Sequence, residues 1–92
     1  MSESRADPSP EQLADELRKL KVSDLLVPTC SLLGSLAFGK LAADVRDLEQ
    51  ARLAIEALKA LVPLLDEAPR RDVQQLVANL QLAYADAAAA TA

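Results

Sequence analysis

The chain has 92 residues, 51% of them hydrophobic and 2% aromatic, with no histidine, one cysteine and a net charge of −4 from 10 basic and 14 acidic side chains. One small domain is what that length supports, and a domain of this size hides only about 60–65% of the surface its unfolded chain exposes. The missing histidine removes the commonest general base and metal ligand, a lone cysteine can form neither an intrachain disulfide nor a zinc cluster, and an acidic chain poor in aromatics is not built to hold nucleic acid.

Residues 1–8, "MSESRADP", are small, polar and proline-containing, and read as a disordered leader. They show no apolar stretch behind a basic start, so no secretory signal is expected and a cytoplasmic location fits the reduced thiol. A single helical domain is expected over residues 9–87. It opens with "SPEQ": Ser9 can cap a helix, Pro10 suits the first helical position and Gln12 completes a capping box. Leu13, Leu17 and Leu20 then lie on one stripe, which predicts a first helix over residues 10–21. Asp15 and Lys19 stand at the favourable i,i+4 spacing. A helix this short does not hold alone in water, so its leucines must dock on something.

Ser23 offers a second cap, ahead of the uncharged run "LLVPTCSLLGSLAFG", residues 25–39. Pro28 leaves two readings: a helix from Ser23 that kinks near Pro28, which the pattern favours, or a turn with the helix starting at Pro28. Leu25, Leu26, Leu32, Leu33, Leu36, Phe38 and Leu41 surround this helix, and a helix apolar nearly all round is expected to be buried. Ser31, Ser35 and Gly39 recur every four residues with Gly34 beside them, a row of small residues that admits another backbone. Cys30 reads as a small buried hydrophobe in this apolar setting. A membrane span needs about 20 apolar residues; fifteen uncharged ones that include Pro28, Thr29, two serines and two glycines, closed by Asp24 and Lys40, fall short of that.

"GKLAADVRD" reads as a linker, after which Asp47 caps the next helix, with Gln50 three residues on. Leu48, Ala51, Ile55, Leu58, Val62 and Leu65 are spaced 3, 4, 3, 4 and 3, a heptad-like seam that Leu61 and Leu64 widen toward the broad stripe of a bundle. Glu49 with Arg52, Arg52 with Glu56, and Glu56 with Lys59 are positioned to lace the outer face. Pro63 bends or ends the last turn. After the break at "DEAP", Pro69 opens a last helix over residues 69–87 whose seam is Val73, Leu76, Leu80, Ala83 and Ala87. The alanine-rich tail, residues 88–92, has nothing to dock on and is expected to fray.

The run ending at Gly39, the helix opening "DLEQAR" and continuing "LAIEALKALVPLL", and the last helix closing on "LVANLQLAY" together resemble a bacterial family of small all-helical proteins known only as a domain of unknown function. The resemblance covers residues 23–84. It implies an all-helical fold and carries no activity, cofactor or functional residue with it. Where many members have a Lys-Thr and a Gly-Asn segment before the last helix, this chain has "DEAPRRD".

These patterns predict an all-α fold: a small bundle of three main helices plus a short N-terminal one, completed by homodimerisation. Three short helices cannot hide all this apolar surface among themselves. The expected contact surface is the small-residue side of the uncharged helix: Leu26, Cys30, Ser31, Leu33, Gly34, Ser35, Ala37, Phe38 and Leu41. The function expected is non-catalytic, acting through protein contacts with a second copy or another helical protein, without a cofactor, metal, small molecule or nucleic acid. Two alternatives stand beside it: an accessory subunit of a larger enzyme or secretion complex, and a peripheral membrane protein that binds through residues 25–36.

Overall fold

A computed structural model describes residues 9–91, which are all-α, with no strand among them. Helix α1 spans Pro10–Lys19, α2 Val22–Leu41, α3 Leu48–Leu61 and α4 Glu67–Thr91. Short 3-10 turns, Ala43–Val45 and Val62–Leu64, follow α2 and α3. The leader expected over residues 1–8 lies outside the described residues.

The cap chemistry works as the residue types require. The Ser9 hydroxyl accepts from the Gln12 N–H at 3.1 Å, and the Gln12 side-chain oxygen accepts from the Ser9 N–H at 3.0 Å, so two otherwise orphaned donors are satisfied at the start of α1. The Asp47 carboxylate accepts from the Gln50 N–H at 3.1 Å at the start of α3. At α2 the cap differs from expectation. The helix begins at Val22, and the Asp24 carboxylate reaches back to accept from the Lys21 N–H at 2.9 Å, leaving Ser23 inside the first turn. The carboxylate there also meets the positive end of the helix dipole.

Helix α2 runs unbroken through Pro28, from Val22 to Leu41, so Pro28 neither starts it nor ends it. Helix α3 stops at Leu61, where Pro63 turns the chain through a 3-10 segment before Leu65 leaves in an extended conformation. Helix α4 begins at Glu67, two residues before Pro69; its first turn has no intrahelical use for the missing proline N–H. It continues through the alanines to Thr91, past the end expected at Ala87, because alanine has the highest helix propensity of any residue.

Helices α2, α3 and α4 each pack on the other two. Their shared core holds Cys30, Ala37 and Leu41 from α2, Ala51, Ala54, Ile55 and Leu58 from α3, Leu65, and Val73, Val77, Leu80 and Ala87 from α4. Leu58 and Leu80 are its largest wholly enclosed side chains, and no polar or charged residue is buried among the described residues. Within α3 the seam is placed as the 3/4 spacing requires: Ala51, Ile55 and Leu58 are buried and Leu48 lies against the cluster; past the helix end, Val62 lies against it from the 3-10 turn and Leu65 is buried from the extended chain. Leu64 is exposed. Polar ties secure the ends. Arg46 donates to the Leu41 carbonyl at the end of α2 and to the Ala87 carbonyl of α4, at 3.2 and 3.4 Å, and Arg70 donates to the Leu65 carbonyl at 2.7 Å. On the outer faces Glu49 pairs with Arg52 and Glu56 with Lys59, while Asp15 pairs with Arg18 rather than with Lys19.

Helix α1 stands apart from this core. None of its residues is buried, and Leu13, Leu17 and Leu20 are all exposed. Leu20 and Lys21, between α1 and α2, are both extended.

Candidate interaction surface

The expectation that α2 is buried nearly all round does not hold. Only one strip faces inward: Cys30, Gly34, Ala37 and Leu41, at steps of 4, 3 and 4 residues. These are small residues except the last, and small side chains let α3 and α4 come close. At Gly34 the fit is specific. A β-carbon there would lie 2.7 Å from Leu76 Cδ2, so the α4 leucine occupies the space a side chain would need. Helix α2 therefore buries the side that admits close neighbours and leaves its bulkier side chains outside.

The nine residues expected to form the contact surface accordingly divide. Cys30, Gly34, Ala37 and Leu41 are spent inside the chain's own core; Leu26 and Leu33 are half-buried against it; Ser31, Ser35 and Phe38 are exposed. The free apolar surface of α2 lies on the opposite side. Leu25, Leu32 and Leu36 form a ridge there, with Leu32 71% exposed. Sequence reasoning missed this ridge as a separate feature. Its signal was present: Leu25, Thr29, Leu32 and Leu36 keep a 4, 3, 4 spacing of their own, half a turn from the inward strip. Ser31, Ser35 and Gly39 form a low row beside the ridge, and nothing lies within 4 Å of where a Gly39 β-carbon would be.

Two leucine stripes on consecutive helices are therefore uncovered, one on α1 and one on the outside of α2. Helix α2 is also, by length and composition, apolar enough to cross a membrane, because Val22 and Leu41 extend the fifteen-residue run to a helix of 20 residues. Only 17% of its most apolar window is buried, which separates it from an ordinary core helix.

The remaining surface offers little chemistry. The described residues hold no group of three or more His, Cys, Asp or Glu side chains that could bind a metal ion. Cys30 is 1% exposed, and burial pushes its thiol above the ordinary value of 9.0, which keeps it protonated and unreactive at neutral pH. One shallow cleft is lined by Arg52, Ile55, Glu56, Gln81 and Tyr84, and another, of about 360 Å³, by Phe38, Leu41, Ala42, Arg46, Ala83, Asp86 and Ala87. In the second, Arg46 is already committed to two backbone carbonyls. In the first, the Arg52 guanidinium bonds the exposed Glu49 carboxylate at 2.8 Å, which holds its pKa above the usual arginine value. Neither cleft brings a nucleophile to a base. Compared with known protein families, curated proteins and solved structures, the chain matches none.

Proposed function

We propose that the chain is a non-catalytic helical protein that acts through protein contacts, and that its first partner is a second copy of itself. One observation carries the reading: the same chain bears two uncovered sets of leucines, Leu13 and Leu17 on α1 with Leu20 just past its end, and Leu25, Leu32 and Leu36 on α2. A two-fold pair uses each stripe twice, since each copy offers both surfaces to the other.

The magnitudes favour association. The exposed fractions of the six leucines amount to about three whole side chains per copy, and at about 1.5–3 kcal/mol for each leucine buried, two copies gain roughly 10–20 kcal/mol. Association costs about 4–15 kcal/mol before any net affinity appears. The surplus is compatible with the roughly 8 kcal/mol of a micromolar dimer. Covering these faces also solves the problem of α1, since a ten-residue helix has too few hydrogen bonds to persist undocked.

A second reading has its own support. The length of α2 and its low burial suit a helix lying at a lipid surface, with Arg18, Lys19 and Lys21 at the head-group level. The net charge of −4 opposes attraction to anionic lipid.

Light scattering on the purified chain, paired with liposome flotation, separates the two. The dimer reading predicts twice the chain mass of 9.8 kDa and no flotation. Monomers that float establish the membrane reading, and monomers that stay in solution overturn both. A different protein that co-purifies with the chain in place of a second copy makes it an accessory subunit and overturns the homodimer.

A further inference from the structure

The two leucine stripes differ in form, and their forms are complementary. On α2, Leu32 and Leu36 border one side of the low row Ser31, Ser35 and Gly39, Phe38 stands on its other side, and the exposed Val27 closes it one turn before Ser31, which leaves a short shallow groove from Ser31 to Gly39. Rows at four-residue steps are the ridges and grooves by which helices interlock. Leu13 and Leu17 stand one turn apart on α1, and Leu20 follows in the extended connection just past its end, with no row of small residues beside them. Leu13 to Leu20 is seven residues, about 10 Å at helical rise, and the row from Ser31 to Gly39 is eight, about 12 Å.

Charge sets the direction. On α1, Glu11 lies at the start, Asp15 and Glu16 in the middle, and Arg18, already paired with Asp15, and Lys19 at the end, followed by Lys21, so the free positive charge sits at Lys19 and Lys21. On α2, Asp24 lies at the start and Lys40 at the end, with no charge between them. Laid antiparallel, the basic end of α1 meets Asp24 and its acidic start approaches Lys40, within the roughly 8–10 Å over which charges still interact at physiological salt. A parallel arrangement sets acid on acid and base on base. The connection lets α1 reach away from its own chain, since Leu20 and Lys21 are extended and α1 contributes nothing to its own core.

We infer that α1 is an exchange arm: its leucine ridge lies antiparallel in the outer groove of the partner copy's α2, while the partner's α1 lies reciprocally in the groove of the first. The inference rests on the homodimer proposed above and adds to it which helix covers which face, and in which direction. In that register Leu13 neighbours the partner's Leu36, Leu17 the partner's Leu32, and Leu20, seven residues from Leu13, comes level with the partner's Thr29.

The test uses full-length chains carrying Cys30→Ala, so that the buried native thiol takes no part, with one further cysteine each: Leu13→Cys, Leu36→Cys or Leu25→Cys. The mass of each variant is first measured under reducing conditions. Two variants, one with a size tag, are then mixed and oxidised. The arm predicts a disulfide-linked heterodimer from Leu13→Cys mixed with Leu36→Cys, in at least tenfold excess over Leu13→Cys mixed with Leu25→Cys, because a disulfide forms only where the α-carbons come within about 7 Å. Preferential linkage of the second mixture overturns the antiparallel arm. Material that has dimer mass but links neither mixture overturns the arm and leaves the dimer standing. Monomer mass removes both. A chain carrying Leu13→Cys and Leu36→Cys together that closes on itself as a covalent monomer shows the arm folding back onto its own α2, which overturns the exchange.

Discussion

Replacing Leu32 by alanine removes three carbons from the most exposed leucine of the α2 ridge. The side chain is 71% exposed in the single chain, so at about 0.8 kcal/mol per buried carbon a covering partner gains roughly 1.7 kcal/mol from the atoms that alanine lacks. A two-fold interface contains the residue twice, which gives about 3.4 kcal/mol per dimer and a dissociation constant weakened roughly 250-fold, at about 1.4 kcal/mol per factor of ten. The single-chain fold loses almost nothing, because surface substitutions of this kind stay within about 0.5 kcal/mol. Sedimentation equilibrium over a range of concentrations reads the association directly, and far-ultraviolet circular dichroism confirms unchanged helix content. A Leu32→Ala protein that dimerises as tightly as the parent refutes the assignment of the α2 ridge to the interface.

Other substitutions probe the fold, with all melts run at one protein concentration because a dimer's stability depends on it. Leu58→Ala empties a wholly buried site between the helices and should cost about 2–5 kcal/mol in urea unfolding. Gly39→Ala enters open space on a helix and should stabilise by up to about 1 kcal/mol, whereas Gly34→Leu drives a side chain into Leu76 and should destabilise by about 1–3 kcal/mol. Pro28→Ala restores the hydrogen bond that α2 lacks to the Asp24 carbonyl and should stabilise by up to about 3 kcal/mol, raising the melting temperature by several degrees. The Cys30 thiol should resist aromatic disulfide reagents until the chain is unfolded. Its raised pKa means the folded state disfavours the thiolate, so this contribution to stability is fully present below pH 9.0 and is lost as pH rises through the folded value. Chemical unfolding across alkaline pH checks it against Cys30→Ala, which should lack that loss.

The helices themselves were legible wherever amphipathic contrast was strong. In α3 the 3/4 spacing of Ala51, Ile55 and Leu58 lies between charged residues, so the periodicity alone states which side is inside, and Asp47 and Ser9 cap where their side chains can reach the third N–H along. The orientation of α2 was not legible by the same means. Its run of fifteen uncharged residues gives no polar face against which to read an apolar one. Hydrophobicity alone would turn the leucines inward. Packing decided otherwise, because Cys30, Gly34 and Ala37 let α3 and α4 approach closely and Leu76 fills the gap at Gly34. Of the small residues singled out, Ser31, Ser35 and Gly39 are exposed, and only Gly34 beside them meets a close neighbour, the Leu76 side chain of the same chain. The exposed ridge Leu25, Leu32 and Leu36 follows from that choice, and it could be recognised only once the inward strip was known. The start at Glu67 and the continuation to Thr91 escaped for a smaller reason: a helix's first turn tolerates proline, and alanines extend a helix that is already anchored.

Amide hydrogen exchange along α1 tests the central claim most directly. An undocked ten-residue helix in water opens constantly, and its amides exchange close to the unprotected rate. If the leucine stripes are covered by a second copy, the amides of Leu13, Leu17 and Leu20 are protected and their protection rises with protein concentration. If α1 exchanges at the unprotected rate at every concentration, or is protected equally at all of them, the stripes are not covered by a second chain.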